Sequence, residues 1–113
     1  MNNTEVVNTT SKYIVKTTGI GSETNEILVD AEKLAEGTDG SKVSLIECYY
    51  LIEGTGTLTI SADAEHPNKL NLTGKGKYGL RPNQLKYGND KLFKLTTDSN
   101  VKSYLLVTEF RRN

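Results

Sequence analysis

Rare residues set the first limits on this chain. Its 113 residues include one cysteine, one histidine, two prolines, one methionine and no tryptophan. A single cysteine, Cys48, excludes an intrachain disulfide and with it the stapled scaffolds of small secreted proteins. Cys48 lies in the most apolar run, residues 43–52, where a free thiol packs as a small hydrophobe. A nucleophilic role would need a neighbouring base or a helix start to lower its pKa. The one histidine, His66, sits in the turn-like stretch Ala64-Glu65-His66-Pro67-Asn68 and reads as a solvated turn residue. With one His and one Cys, any zinc or iron site would be mostly carboxylate, and no HExxH or CxxC spacing occurs. Neither a metal nor another cofactor is expected, and no catalytic residue is nominated.

Long apolar runs are also missing. No segment approaches the roughly 18 to 20 apolar residues that span a bilayer. The start, Met1-Asn2-Asn3-Thr4-Glu5-Val6-Val7, lacks the basic and apolar regions of a signal peptide. Synthesis in a cytoplasm without membrane contact is the expectation.

Net charge is zero, from 14 bases and 14 acids, which argues against direct nucleic-acid binding by bulk charge. That zero conceals two unequal halves. Residues 1–68 hold 11 acids against four lysines, a net of −7, and residues 69–113 hold ten bases against three acids, a net of +7. If folding keeps the halves apart, complementary charge joins neighbours, with a basic face around Lys75, Lys77, Arg81, Lys86 and Lys91. A Greek-key arrangement would interleave them instead.

What the chain does have is Thr, Asn, Gly and Ser, 41 residues of 113. Threonine-rich, glycine-punctuated sequence with β-branched and aromatic runs predicts strands joined by tight turns. Strands are expected at 13–18, 26–29, 43–53, 57–62, 69–73, 91–97 and 101–111, with a short continuation at 78–80. Asp30 is placed to cap one helical turn over 31–36, stopped by Gly37. Residues 43–53 are apolar on both faces, with Ile46, Cys48, Tyr50 and Ile52 on one and Leu45, Tyr49 and Leu51 on the other. Residues 101–111 share that property. Such strands are central and doubly covered, or lie at a subunit contact. Gly54-Thr55-Gly56 reads as the turn of a hairpin joining 43–53 to 57–62. The fold class predicted is all-β, an antiparallel β-sandwich or small barrel of jelly-roll or immunoglobulin type, with one short helical turn. Residues 13–113 form the single domain. Residues 1–12, with only Val6 and Val7 as sizeable apolar groups besides Met1, read as a flexible N-terminal arm.

The most suggestive functional segment is 71–81, where glycines alternate with Lys75, Lys77, Tyr78 and Arg81. Such a segment brings cations and backbone N–H groups up to an anion or a partner. It equally suits a glycine-bent hairpin whose lysines discourage edge pairing. No P-loop or dinucleotide fingerprint is present. Tyr78 and Tyr87, in Gly- and Lys-rich stretches, suit a sugar- or protein-binding surface.

Several stretches together resemble small virion proteins of tailed bacteriophages, particularly marine ones. They are Lys12-Tyr13-Ile14-Val15-Lys16, Glu26-Ile27-Leu28-Val29-Asp30-Ala31, residues 49–60 from Tyr49-Tyr50-Leu51-Ile52 onward, and Leu70-Asn71-Leu72-Thr73-Gly74-Lys75-Gly76. The resemblance runs from Tyr13 to the end. It implies a non-enzymatic head decoration, or cement, protein on the capsid surface of a virion. Such a protein is a homo-oligomer that clamps neighbouring subunits of the major capsid protein or another virion protein. Some members use a terminal arm, which maps here to residues 1–12 with Val6 and Val7 as anchors. The alternative is a carbohydrate- or receptor-binding module of a phage fibre.

Overall fold

The structure, a computed structural model, describes residues 1–62, 69–79 and 91–112. Nine strands run in chain order: β1 (Asn2–Asn8), β2 (Lys12–Ile20), β3 (Glu26–Asp30), β4 (Val43–Gly54), β5 (Leu58–Ala62), β6 (Lys69–Leu72), β7 (Lys75–Gly79), β8 (Leu92–Thr97) and β9 (Val101–Arg112). They form two antiparallel sheets, one ordered β1-β2-β9-β4-β7 and the other β3-β8-β5-β6. The protein is an antiparallel β-sandwich. Its core is built from period-2 alternation on strands of both sheets, with Val15, Leu58, Phe93, Leu95, Leu106 and Phe110 all sealed from solvent. Phe93 and Phe110 meet across the sheets with ring centroids 5.1 Å apart.

The helical element is one 3-10 turn, Ala31–Lys33. Asp30 caps it as expected, its Oδ1 accepting from the Glu32 backbone N–H at 3.1 Å.

Three expectations are corrected. First, Gly54-Thr55-Gly56 does not close a hairpin. β4 pairs with β7 and β9, while β5 pairs with β6 and β8 in the other sheet. The segment is therefore a corner between layers. Gly54 adopts φ +102°, and a Cβ on Gly56 would run into Asp98 Oδ1. Asp98 fastens this corner by accepting from Thr57 N at 3.0 Å and Asn100 N at 2.9 Å.

Second, the two faces of β4 are not divided as strict alternation predicts. The ladder to β9 shifts between Leu45 and Glu47, so Leu45 opposes Phe110 while Glu47 opposes Glu109. One extra residue, Ile46, lets Val43 and Leu45 turn inward together with Cys48 and Ile52. Leu45 is thus core, not outer surface.

Third, residues 1–12 contain a strand instead of a flexible arm. Asn2–Asn8 pairs with β2 along its length, with a bulge between Glu5 and Val7. The side chains of β1 bury little, so apolar content gave no sign of it. The backbone ladder holds it, aided by Thr17 Oγ1 donating to Asn3 Oδ1 at 2.7 Å. Its ends are pinned as well. The Met1 amino group pairs with Glu23 at 2.8 Å, and the Arg112 guanidinium donates to Asn8 Oδ1 at 2.7 Å and Thr9 O at 2.9 Å.

Candidate functional site

The sandwich has two outward faces, and their chemistry is opposite. On the five-stranded sheet, pairing register places outward side chains in cross-strand rows. One row reads Lys16, Val107, Tyr49, Lys77, and the next reads Thr18, Leu105, Leu51, Lys75. Tyr49, Leu51, Leu105 and Val107 therefore form an apolar quartet on the two central strands. Tyr49 and Leu51 remain 48% and 44% exposed, and Leu105 and Val107 are half-buried. Lysines border the quartet on both sides. The Lys77 ammonium lies 5.0 Å from the centre of the Tyr49 ring, and its contact with the Tyr49 side chain raises its pKa.

Acids close the ends of this patch. Glu47 and Glu109 stand opposite one another in the row above, and Glu53 lies two residues beyond Leu51. Like charges directly opposed across a ladder disfavour one another. Their local cations are distant, Lys77 at 3.9 Å from Glu47 and Lys12 at 3.9 Å from Glu109. Glu47 Oε2 is buried and receives no hydrogen bond among the described residues.

The four-stranded sheet presents a row of Asn25, Thr96, Thr59 and Asn71. Thr59 Oγ1 donates to Asn71 Oδ1 at 2.9 Å, Thr96 Oγ1 to Asn25 Oδ1 at 3.3 Å, and Asn25 N to Thr96 Oγ1 at 3.0 Å. With Thr24 they line a shallow groove of about 460 Å³.

The sequence-nominated residues separate in space. Lys75 and Lys77 sit together on the edge strand β7, facing outward. The segment is a ladder strand and not an anion-cradling loop, with Gly74 at φ +69° making the bend from β6 and its carbonyl accepting from Ile52 N at 2.6 Å. Tyr78 opposes Cys48 and packs half-buried against the core, so it is not a surface ring. Val6 and Val7 lie at the opposite edge of the sheet, Val6 exposed at the bulge and Val7 opposite Ile14. Arg81, Lys86, Tyr87 and His66 fall outside the described residues.

The two charge halves interleave. β4, from the acidic half, lies between β9 and β7 of the basic half, and Lys91 pairs with Glu32 at 3.3 Å. Cys48 is fully enclosed, and burial pushes its thiol pKa up to about 12, so it carries no thiolate at neutral pH. The Arg112 guanidinium, beside a small cavity near Lys42, also donates to Ala35 O at 2.5 Å and acts as a clasp between loops.

Sequence reasoning nominated Lys75 and Lys77 of this patch but neither Lys16 nor its apolar centre. The available signal was the two-sided apolarity of residues 43–53 and 101–111.

No protein-family model and no curated protein matches the chain. Among solved structures, it is similar to a cupin domain from Bordetella pertussis Tohama I. The match covers 99% of this chain and 92% of that one, with a TM-score of 0.44 and 11% sequence identity.

Proposed function

We propose that this protein is a non-enzymatic assembly module that binds another protein through the outer face of its five-stranded sheet. The single observation carrying this reading is the quartet Tyr49, Leu51, Leu105 and Val107, left open to water on two long central strands. A contiguous apolar patch framed by charge is the usual anatomy of a protein contact, with an apolar centre and a polar rim. The resemblance to tailed-phage virion proteins supplies the setting: decoration of a capsid as a homo-oligomer, with a major capsid protein or another virion protein as its partner.

Co-sedimentation tests the reading. Purified protein is mixed with tailed-phage heads stripped of accessory proteins, wild type beside Leu51→Arg. Saturable sedimentation of wild type, lost in Leu51→Arg at unchanged thermal midpoint, is the expected result. Wild type remaining in the supernatant removes the decoration reading.

The Asn25–Thr96–Thr59–Asn71 row favours a second reading, carbohydrate binding. With both Oδ1 atoms accepting from threonine, each asparagine offers its Nδ2 hydrogens to a hydroxyl-rich ligand. Amide shifts at Thr59 and Asn71 on titration with neutral trisaccharides, absent in Asn71→Ala, are its expected signature.

A further inference from the structure

We infer that the occupant of the five-stranded face is a second copy of this chain, packed face to face with its strands crossing at right angles. The inference rests on the reading of that face as a protein contact and is carried by where the register puts the charges.

Neighbouring strands lie about 4.8 Å apart, and successive side chains on one face of a strand about 6.8 Å apart. On this grid Lys75 and Lys77 lie about 7 Å to one side of the quartet's centre and Lys16 about 7 Å to the other. Glu47 and Glu109 lie about 10 Å along the strands in one direction, and Glu53 about 10 Å in the other. Cations therefore flank the patch across the strands, and anions flank it along them.

Three kinds of two-fold axis in the plane of the face can be compared. An axis parallel to the strands brings Lys77 over Lys16 of the second copy. An axis perpendicular to the strands brings Lys75 over Lys77 of the second copy. Both oppose like charges. An axis at 45° exchanges the two directions, so the sheets cross at about 90°, an established mode of sheet-on-sheet packing. In one of its two settings Lys77 meets Glu47, Lys75 meets Glu109 and Lys16 meets Glu53 of the second copy. Each pair falls within about 3 Å laterally on the grid, well inside the reach of a lysine side chain.

This arrangement also answers a feature of the single chain. Glu47 and Glu109 stand opposed, with Lys77 and Lys12 each 3.9 Å from them. A second copy delivers Lys75 and Lys77 to that pair. Self-complementarity of one patch is what a two-fold interface demands.

Sedimentation equilibrium on the full chain tests this with four samples: wild type, Lys75→Glu/Lys77→Glu, Glu47→Lys/Glu109→Lys, and an equimolar mixture of the two doubles. Wild type is expected to dimerise, each double to weaken association at least tenfold, and the mixture to recover affinity within about threefold of wild type. Recovery follows because every opposed pair in the mixed dimer again joins unlike charges. Lys75→Glu alone, at an exposed residue with no ion pair among the described residues, is expected to weaken the dimer without changing the thermal midpoint. Stronger association in Lys77→Glu, the mark of parallel crossing over Lys16, overturns the inference, as does a mixture that stays dissociated. A wild type monomeric at millimolar concentration overturns it too. A wild type that stays monomeric yet sediments with phage heads overturns this inference and leaves the proposed function standing, and a wild type that dimerises but stays in the supernatant does the reverse.

Discussion

The two outer faces of this sandwich cover similar inner packing, one on strands of 5 to 12 residues and the other on strands of 4 to 6, and their centres differ: one is apolar and the other hydrogen-bonded. Outward positions of β4 and β9 carry Tyr49, Leu51, Leu105 and Val107. Outward positions of β5, β6 and β8 carry Thr59, Ser61, Asn71, Leu92, Lys94 and Thr96, and Ile27 of β3 is exposed opposite Lys94. Both sets line one side of an antiparallel sheet, where a solvated face normally alternates to polar residues. The four-stranded sheet follows that rule on β5 and β6, where Thr59 bonds Asn71, and its apolar exceptions, Ile27 and Leu92, lie on β3 and β8. The five-stranded sheet does not, although its inner face is as well buried. The inner faces suffice for folding, and on the proposed reading the apolar outer set is the contact.

The sharpest way to break this comparison uses neighbouring leucines on β9. Leu106 is fully buried, while Leu105 beside it faces outward and is half-buried. Leu106→Ala is expected to lower stability by about 2 to 5 kcal/mol through lost transfer and a residual cavity. Leu105→Ala is expected to cost below about 1 kcal/mol in the monomer, while weakening self-association. Denaturant unfolding at low protein concentration, read beside sedimentation, separates the two. Equal losses for both leucines would place Leu105 in the core and remove the contact face.

A smaller effect is expected from the polar face. Thr59→Val keeps the shape of the side chain but removes its donation to Asn71 Oδ1. The expected loss is about 0.5 to 1.5 kcal/mol, with no change in association. The reciprocal exchange, Leu51→Thr, is expected to leave the unfolding midpoint within the same range and to weaken the dimer. If Thr59→Val promotes association as strongly as Leu51→Thr weakens it, the faces differ only in hydrophobicity, and the charge frame has no role.

Much of this division was legible in the sequence. Alternation over 57–62, 69–73 and 91–97 marked half-buried strands, and the two-sided runs at 43–53 and 101–111 marked strands with a second covered or contacting face. What stayed hidden depended on partners distant in the chain. The bulge at Ile46 is set by the register of β4 on β9, where Phe110 draws Leu45 inward. Gly54-Thr55-Gly56 has the composition of a hairpin turn. Only the pairing of β5 with β8, and Asp98 reaching Thr57 N, make it a corner. Strand β1 is held by backbone hydrogen bonds, which side-chain composition does not encode. Two lysines of the candidate site, Lys75 and Lys77, were visible as a cluster, while the quartet they help frame exists only once β4 and β9 pair. Lys75 and Lys77 were grouped with Tyr78, but period-2 alternation turns Tyr78 to the opposite face.

The smallest expected effect sharpens the comparison from the side of charge. Glu32, in the 3-10 turn that follows the four-stranded sheet's β3, accepts from the Gly40 backbone N–H at 2.8 Å and pairs with Lys91 at 3.3 Å. The Gly40 hydrogen bond, with the Lys91 ammonium adding to it, holds its carboxyl below the usual 4.5. A folded pKa lower than the unfolded one contributes stability that is present above pH 4.5 and lost as pH falls through the folded value. Glu32→Gln is therefore expected to lower stability slightly at pH 7 to 8 and to converge on wild type at the acid end, which flattens that side of the curve. Association should not respond to this change at any pH, because Glu32 lies off the contact face. Glu109→Gln is expected to weaken the dimer at neutral pH, because it removes the charge that Lys75 of the second copy meets. Thermal melts of the monomer and sedimentation, both from pH 3 to 7, read the two variants side by side. A dimer that responds equally to Glu32→Gln and Glu109→Gln would show that net charge, and not its position on the five-stranded face, governs association.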